Sequence, residues 1–295
     1  MRHSARSHVS PLERGDQGPT GGRSSRGRGV DSFAAKALVL KTPERPTPTR
    51  NVLSPLHRFT TQLRYRSKQF IGRHPWLYRA VFRNRSGFED LLVDGNTDIC
   101  IEGFPRSASS FAVAAFRHAQ AEPVGIAHHN HVPAPIWTAV RRGIPTIVLI
   151  RDPVAAVISF RGLLLQIAAT NGEEKAFHVS YELRLKAWIS FYETNKPVAD
   201  RIVIAPFEEV TDDFGGVIDR VNERFGTAFA RFHHTSATVD EVRGSRGYHA
   251  LPSQQRDILK QEARQAFERE IGDDHPIAQR AHRLFTSIRP RMPTT

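Results

Sequence analysis

The sequence predicts an α/β fold in three layers, with a central parallel sheet flanked by helices. Three observations carry this. Short apolar runs alternate with longer stretches of helical periodicity from Ile99 onwards, the pattern of βαβ units. One of those runs, Thr146 to Ile150, is apolar after its first residue, as suits a strand covered on both faces. The third is Ile99 to Phe116, ICIEGFPRSASSFAVAAF, which reads as a strand, a tight turn and a helix start.

Taken in order, residues 1–50 are rich in Arg, Ser, Gly and Pro and poor in large apolar residues, so a disordered basic tail is expected. The composition also suits a transit peptide, but a solvated tail is the preferred reading. Residues 51–295 are expected to form a single domain, with a basic helical segment at 51–87 and a core at about 97–270. Between Asn51 and Gly87 there are eight Lys/Arg and no acid, interleaved with Leu53, Phe59, Leu63, Phe70, Trp76, Leu77 and Phe82. One or two amphipathic helices fit that spacing. Either their aromatic face packs on the core, which is preferred, or it meets a membrane surface or an acidic partner.

After the strand–turn–helix come a second strand at Pro123 to Ala127, the cluster His128-His129-Asn130-His131, and a helix at Pro135 to Arg142. The strand Thr146 to Ile150 ends in Arg151-Asp152-Pro153, where Asp152 suits an N-cap and Pro153 the first helical position of a helix at Val154 to Ala169. Residues 176–195 look helical, Arg201 to Ala205 a fourth strand. Phe214, Val217, Ile218, Val221 and Phe225 make a helical stripe that Gly226 ends. A last helix is expected from Ser253 through Phe267. In such sheets ligands bind at the carboxyl ends of strands, so the turn, the histidine cluster and Arg151 should converge.

Composition narrows the chemistry. The formal charge is +12, with ten basic and four acidic residues in the first fifty. Such a balance suits anionic partners without choosing among them. Cys100 is the sole cysteine, which excludes a disulfide framework, and no apolar run is long enough for a membrane span. Phe33 to Leu40, broken by Lys36, is too short for a secretion signal, so the expected compartment is the cytoplasm.

The turn at Gly103 reads as an anion cradle, the alternative being an ordinary strand–turn–helix with a polar turn: a helix start aims N–H groups and hydroxyls at one point, where the helix dipole also favours negative charge. Laid on the P-loop template, Gly103 is followed by Ala108, Ser109 and Ser110 where a second glycine, a lysine and a hydroxyl are usual. The loop is P-loop-like in length but has Arg106 as its cation. A second anion site is offered by Arg151 with Ser159, eight residues later in the next helix, since an arginine fork with a hydroxyl matches a phosphate monoester.

Two phosphate sites on a P-loop-like fold without the P-loop lysine resemble the sulfotransferases that use 3′-phosphoadenosine 5′-phosphosulfate. Gly103 to Phe111 resembles their 5′-phosphosulfate loop, P-[KR]-[ST]-G-[ST]-[ST]. Arg151-Asp152-Pro153 with Ser159-Phe160 resembles the 3′-phosphate motif R-x-P…S-[FY]. His131-Val132-Pro133 is similar to the segment that carries the catalytic base, with His129 the alternative by distance. Pro206 to Val210 is similar to Y-E-D-L, Leu251 to Arg256 to the opening of the C-terminal helix, and Arg246-Gly247 faintly to R-K-G.

The resemblance implies sulfuryl transfer to a small-molecule or carbohydrate acceptor, with no metal. It implies Arg106, His131 or His129 as catalytic groups. The nucleotide would be held by Arg106, Ser107, Ala108, Ser109, Ser110, Phe111, Arg151, Ser159, Phe207, Arg246 and Gly247. Ala108 departs from the loop glycine and Phe207 from the tyrosine near the adenine. The competing readings are an ATP-dependent P-loop kinase, disfavoured because residues 69–174 contain no lysine, a basic nucleic-acid-binding protein, which shows no recognised module, and a family member that has lost catalysis.

Overall fold

Four short strands form one all-parallel sheet in the order β2–β1–β3–β4: β1 Ile99–Gly103, β2 Ile126–His128, β3 Thr146–Ile150 and β4 Val203–Pro206. The computed structural model describes residues 55–88, 91–171, 179–245 and 254–290. All lie in the compact unit Pro48–Thr295. The tail expected at 1–50 and the pair Arg246-Gly247 lie outside the described residues.

Two helices precede the sheet, α1 Pro55–Ile71 and α2 Pro75–Phe82. Then α3 Ser109–Ala119 follows β1, α4 Pro133–Arg141 follows β2, and α5 Pro153–Asn171 follows β3. Helix α6 Tyr181–Asn195 and a 3₁₀ turn, Lys196–Arg201, lead into β4. Among the described residues the helices after β4 are α7 Phe207–Asp212, α8 Phe214–Phe225, α9 Ser236–Gly244, α10 Gln254–Glu270 and α11 Pro276–Ile288.

Side-chain alternation along the strands sorts these helices into two outer layers. Ile99, Ile101, Ile147, Leu149, Val203 and Ala205 face α3, α8 and α9. Val148 and Ile150 face the opposite way, into a core shared by α4, α5, α6, α10 and α11. The result is the expected three-layer α/β arrangement with a central parallel sheet.

Local chemistry explains most element ends. Asp152 Oδ1 accepts from the N–H of Ala155 at 2.8 Å, capping α5. Gly226 closes α8 in the left-handed conformation, φ 65°. Three expectations need correction. Strand β2 is three residues long and ends at His128, so the first histidine of the cluster belongs to the sheet. Helices α9 and α11 were not anticipated; α9 starts at a capping box between Thr235 and Thr238, α11 with Pro276 at its first position. The aromatic face of α1 and α2 does not all pack on the core. Tyr78 and Phe82 are buried, whereas Phe59, Leu63, Phe70 and Trp76 are exposed.

The strand order defines the site. The chain leaves β1 to one side for β2 and crosses back to the other for β3, so the crevice between the carboxyl ends of β1 and β3 is the switch point. Gly103 is what lets these strands meet there. A Cβ on it would lie 2.7 Å from the Leu149 carbonyl oxygen, which already accepts from the Tyr192 hydroxyl at 2.8 Å. Gly103→Ala should therefore destabilise the protein by about 1–3 kcal/mol, the range for overpacking a core. Denaturant unfolding would measure it, and an unchanged midpoint would mean that the strands separate without penalty.

Candidate functional site

The loop from Gly103 to α3 folds as it does because two residues take the left-handed conformation, Arg106 at φ 74° and Ala108 at φ 69°. The first turn closes with the Ser107 N–H on the Phe104 carbonyl at 3.2 Å. Ala108 then stands at the N-cap of α3, where its side chain caps nothing. The first N–H groups of a helix have no intrahelical acceptor, so the start of α3 points donors outward. Ser109 is buried in that first turn, and its hydroxyl has no hydrogen-bond partner. A buried hydroxyl beside outward N–H groups suits an anion's oxygens.

The second anion motif comes to the same place. Arg106 Nε donates to Ser159 Oγ at 3.0 Å, joining the cradle to α5. One terminal nitrogen of Arg151 donates to the Arg106 carbonyl at 2.9 Å. The Arg151 guanidinium also lies over the Phe207 ring, 4.0 Å from its centroid. Burial pulls the Arg151 pKa down, partly offset by Glu208 and Asp152, so this cation is kept desolvated and oriented. Arg106, Ser107 to Ser110, Arg151, Ser159 and Phe207 thus meet at the switch point. Phe111 turns toward Phe232 and His234, against the sheet-side core.

The histidines divide into two arrangements. His131 Nδ1 lies 2.7 Å from the Gly103 carbonyl, which can only accept, so Nδ1 carries the proton and Nε2 is left as a lone pair. Burial pushes the His131 pKa down to about 3; the Gly103 hydrogen bond opposes this, and His129 and Lys68 add to it. The ring is neutral at any physiological pH. His129 instead sits at the end of a chain. Arg117 meets His128 Nε2 at 3.3 Å, His128 Nδ1 meets His129 Nδ1 at 2.6 Å, and His129 Nε2 meets Ser110 Oγ at 3.0 Å. Arginine only donates, so neutral rings in this chain pass their protons toward Ser110. His129 Nε2–H then donates to the Ser110 oxygen, which turns the serine's own proton toward the cradle.

Glu102 organises the histidine loop. Its buried carboxylate accepts from the Asn130 N–H at 2.8 Å, the Asn130 side-chain amide at 2.9 Å and the His131 N–H at 3.1 Å. Glu102 is thereby turned away from Arg106 of the cradle. Glu102 points to the opposite face of β1, beside Cys100. Arg117 and the Glu102 contacts were missed. Only the position of Glu102 next to Gly103 hinted at a role, and Arg117 carried no signal. Among the described residues no group of three or more His, Cys, Asp or Glu could hold a metal ion, and no helix is long and apolar enough to cross a membrane.

No protein-family model matches this chain, and no curated protein aligns with it significantly. Among solved structures, mouse sulfotransferase SULT7A1 complexed with PAP is similar over 68% of this chain and 91% of that one. The identity is 12% and the TM-score 0.36, too low for any argument to rest on it.

Ala108 offers a test of the loop geometry. An L-residue in the left-handed region is strained by about 1–2 kcal/mol, which glycine avoids while losing more chain entropy on folding. Ala108→Gly should raise stability by roughly 0.5–1 kcal/mol in thermal or chemical unfolding. A destabilised Gly variant would mean that the Ala108 methyl group packs more favourably than its backbone is strained.

Proposed function

We propose that the chain is a sulfotransferase, moving a sulfuryl group from 3′-phosphoadenosine 5′-phosphosulfate to a hydroxyl or amine acceptor. The observation that supports this most is the meeting of two anion-binding motifs at one switch point. Arg106 of the cradle is hydrogen-bonded to Ser159, and Arg151 to the Arg106 carbonyl. A ligand with phosphate-type groups at both its 5′ and 3′ positions would use both. The donor nucleotide supplies the activated sulfuryl group. The residues at hand fit it: a helix start with a buried unpartnered hydroxyl, one arginine in the loop and a second held over an aromatic ring.

In this reading Arg106, Ser109 and Ser110 hold the 5′ end, and Arg106 meets the negative charge that builds on the leaving oxygen. Arg151 and Ser159 hold the 3′-phosphate. Phe207 supports Arg151 from below. His128 and His129 keep Ser110 turned as a donor. His131, with Nδ1–H fixed on Gly103, is in the tautomer of a base at Nε2, and accepts the acceptor's proton.

Nucleotide selectivity tests the main claim. 3′-Phosphoadenosine 5′-phosphate should stabilise the protein without magnesium. At about 100 times its dissociation constant the gain is about 2.7 kcal/mol, or roughly 5–10 °C in melting temperature at this size. 5′-AMP and ATP should do far less, and Arg151→Ala should erase most of the difference from AMP. Stabilisation by magnesium–ATP but not by the 3′-phosphorylated nucleotide would overturn the reading in favour of a kinase.

The pH profile tests the base. A base works when unprotonated, and with a pKa of about 3 His131 is unprotonated throughout the neutral and mildly acid range. Turnover should stay flat from pH 8 down to about 5, and His131→Ala should lower it by roughly 10²–10⁴ with nucleotide binding intact. A loss of activity centred near pH 6–7 would remove His131 from the role of base.

A further inference from the structure

Helix α1 carries an exposed apolar stripe and α2 exposes Trp76 and Val81, and the proposed reaction uses none of these side chains. Phe59, Leu63, Phe70, Trp76 and Val81 account for all but one of the large apolar side chains exposed among the described residues, and Trp76 is 73% exposed. On a helix of 3.6 residues per turn, Phe59, Leu63, Arg66 and Phe70 fall within about 60° of one another. They therefore form one line along α1. Phe70 continues into the turn, where its ring touches His74 at 5.1 Å between centroids.

On α1 and α2 themselves the charged neighbours are all cations. Arg64, Arg66, Arg73, Arg79, Arg83 and Arg85 are all exposed, and no Asp or Glu occurs from Asn51 to Phe88. Where α1 meets α6 there is a shallow cavity of about 200 Å³, bordered by Phe70 and by Arg66, Arg73 and Lys186. Arg73 Nε donates to Ser190 Oγ at 2.9 Å, which fixes that guanidinium at the rim. Lys186 is paired with Glu182 at 2.6 Å, so Arg66 and Arg73 supply the net charge of the notch.

We propose that this face docks on an anionic phospholipid surface, with the aromatic stripe entering the headgroup boundary and a headgroup phosphate in the notch of Arg66 and Arg73. An apolar line with arginines on its flanks is the pattern of a helix that lies in a membrane interface. Large exposed apolar patches mark interaction sites, and the uniform positive charge selects an anionic occupant. The apolar groups stand in a line rather than a cleft, which a lipid surface meets without a shape-matched partner. The exposed stripe and the notch share no residue with the crevice between β1 and β3.

The test uses the full chain with vesicles of phosphatidylcholine alone, or with about 30 mol% phosphatidylglycerol. Trp188 is buried and Trp137 half-buried, so Trp76 dominates any change in tryptophan emission. Anionic vesicles should bind the protein and shift that emission to the blue, at least ~10-fold more tightly than neutral ones, and raised salt should weaken binding. In co-sedimentation, Phe70→Ser/Trp76→Ser and Arg66→Glu/Arg73→Glu should each weaken binding at least ~10-fold. Both pairs are at the surface, so melting temperature should not change. Three results would overturn the proposal. One is no binding to anionic vesicles. A second is binding that the Phe70/Trp76 variant retains, which would assign it to charge elsewhere, residues 1–50 included. The third is emission already blue without vesicles, which would mean that a second copy or another part of the chain covers the stripe.

Discussion

The site depends on one buried carboxylate. Glu102 lies in the middle strand face, where burial pushes its pKa up and would by itself expel the charge. Hydrogen bonds from the Asn130 side chain, the Asn130 backbone and the His131 backbone act in the opposite direction. Asn130 cannot then move without breaking further bonds: its amide also donates to the carbonyls of Leu91 and His128, and its oxygen accepts from the Tyr78 hydroxyl at 2.8 Å. This network ties α2, β1 and the loop after β2 into one unit. Within it, His129 and His131 are held at φ 59° and 56°, a conformation that such residues rarely keep without outside support. A fixed carboxylate thus sets where the histidine rings stand relative to the cradle.

The fold was legible where a single residue decides a local outcome. Gly226 ends α8, and Asp152 with Pro153 starts α5, because capping chemistry is short-range. Strand β3 was legible because it is covered on both faces and so is apolar from Ile147 to Ile150. What was lost depended on packing that is long-range in sequence. Strand β2 is too short to show periodicity, and its last residue is a histidine paired opposite Ile101. Helix α9 has a polar, weakly apolar sequence, held by Val239 and Val242 against the sheet-side core. The aromatic residues of α1 were expected inside because large apolar residues usually are. Yet Tyr65, partly buried, packs against the core while Phe59 and Phe70 do not.

The site was legible as chemistry rather than as geometry. Spacing alone brought the cradle and Arg151 to adjacent strand ends, which a parallel sheet then places side by side. It could not reveal that Arg106 reaches Ser159, or that Ala108 adopts the left-handed conformation in place of the glycine that would hold it without strain. Nor could it reveal the environment of each histidine. His129 and His131 are two residues apart and alike in the sequence, but one ends a chain from Arg117 to Ser110 and the other is desolvated against Gly103. Their difference comes from neighbours contributed by α3 and β1.

The two basic regions of this chain differ in kind, although formal charge counts them alike. At the crevice, Arg106 and Arg151 are half-buried, and each is fixed by a hydroxyl, a carbonyl or an aromatic ring. Ordering them is complete before any anion arrives, and partly buried charge is screened little by salt. Arg64 and Arg66 of α1 and Arg79 of α2 are exposed, and their field decays within about 10 Å at 0.1 M salt. In the proposed reading, recognition at the crevice is therefore geometric and would select the shape of an anion. Attraction at the helical face would be collective and select only the density of charge, so in the proposed docking the apolar side chains, rather than the arginines alone, define what that face holds.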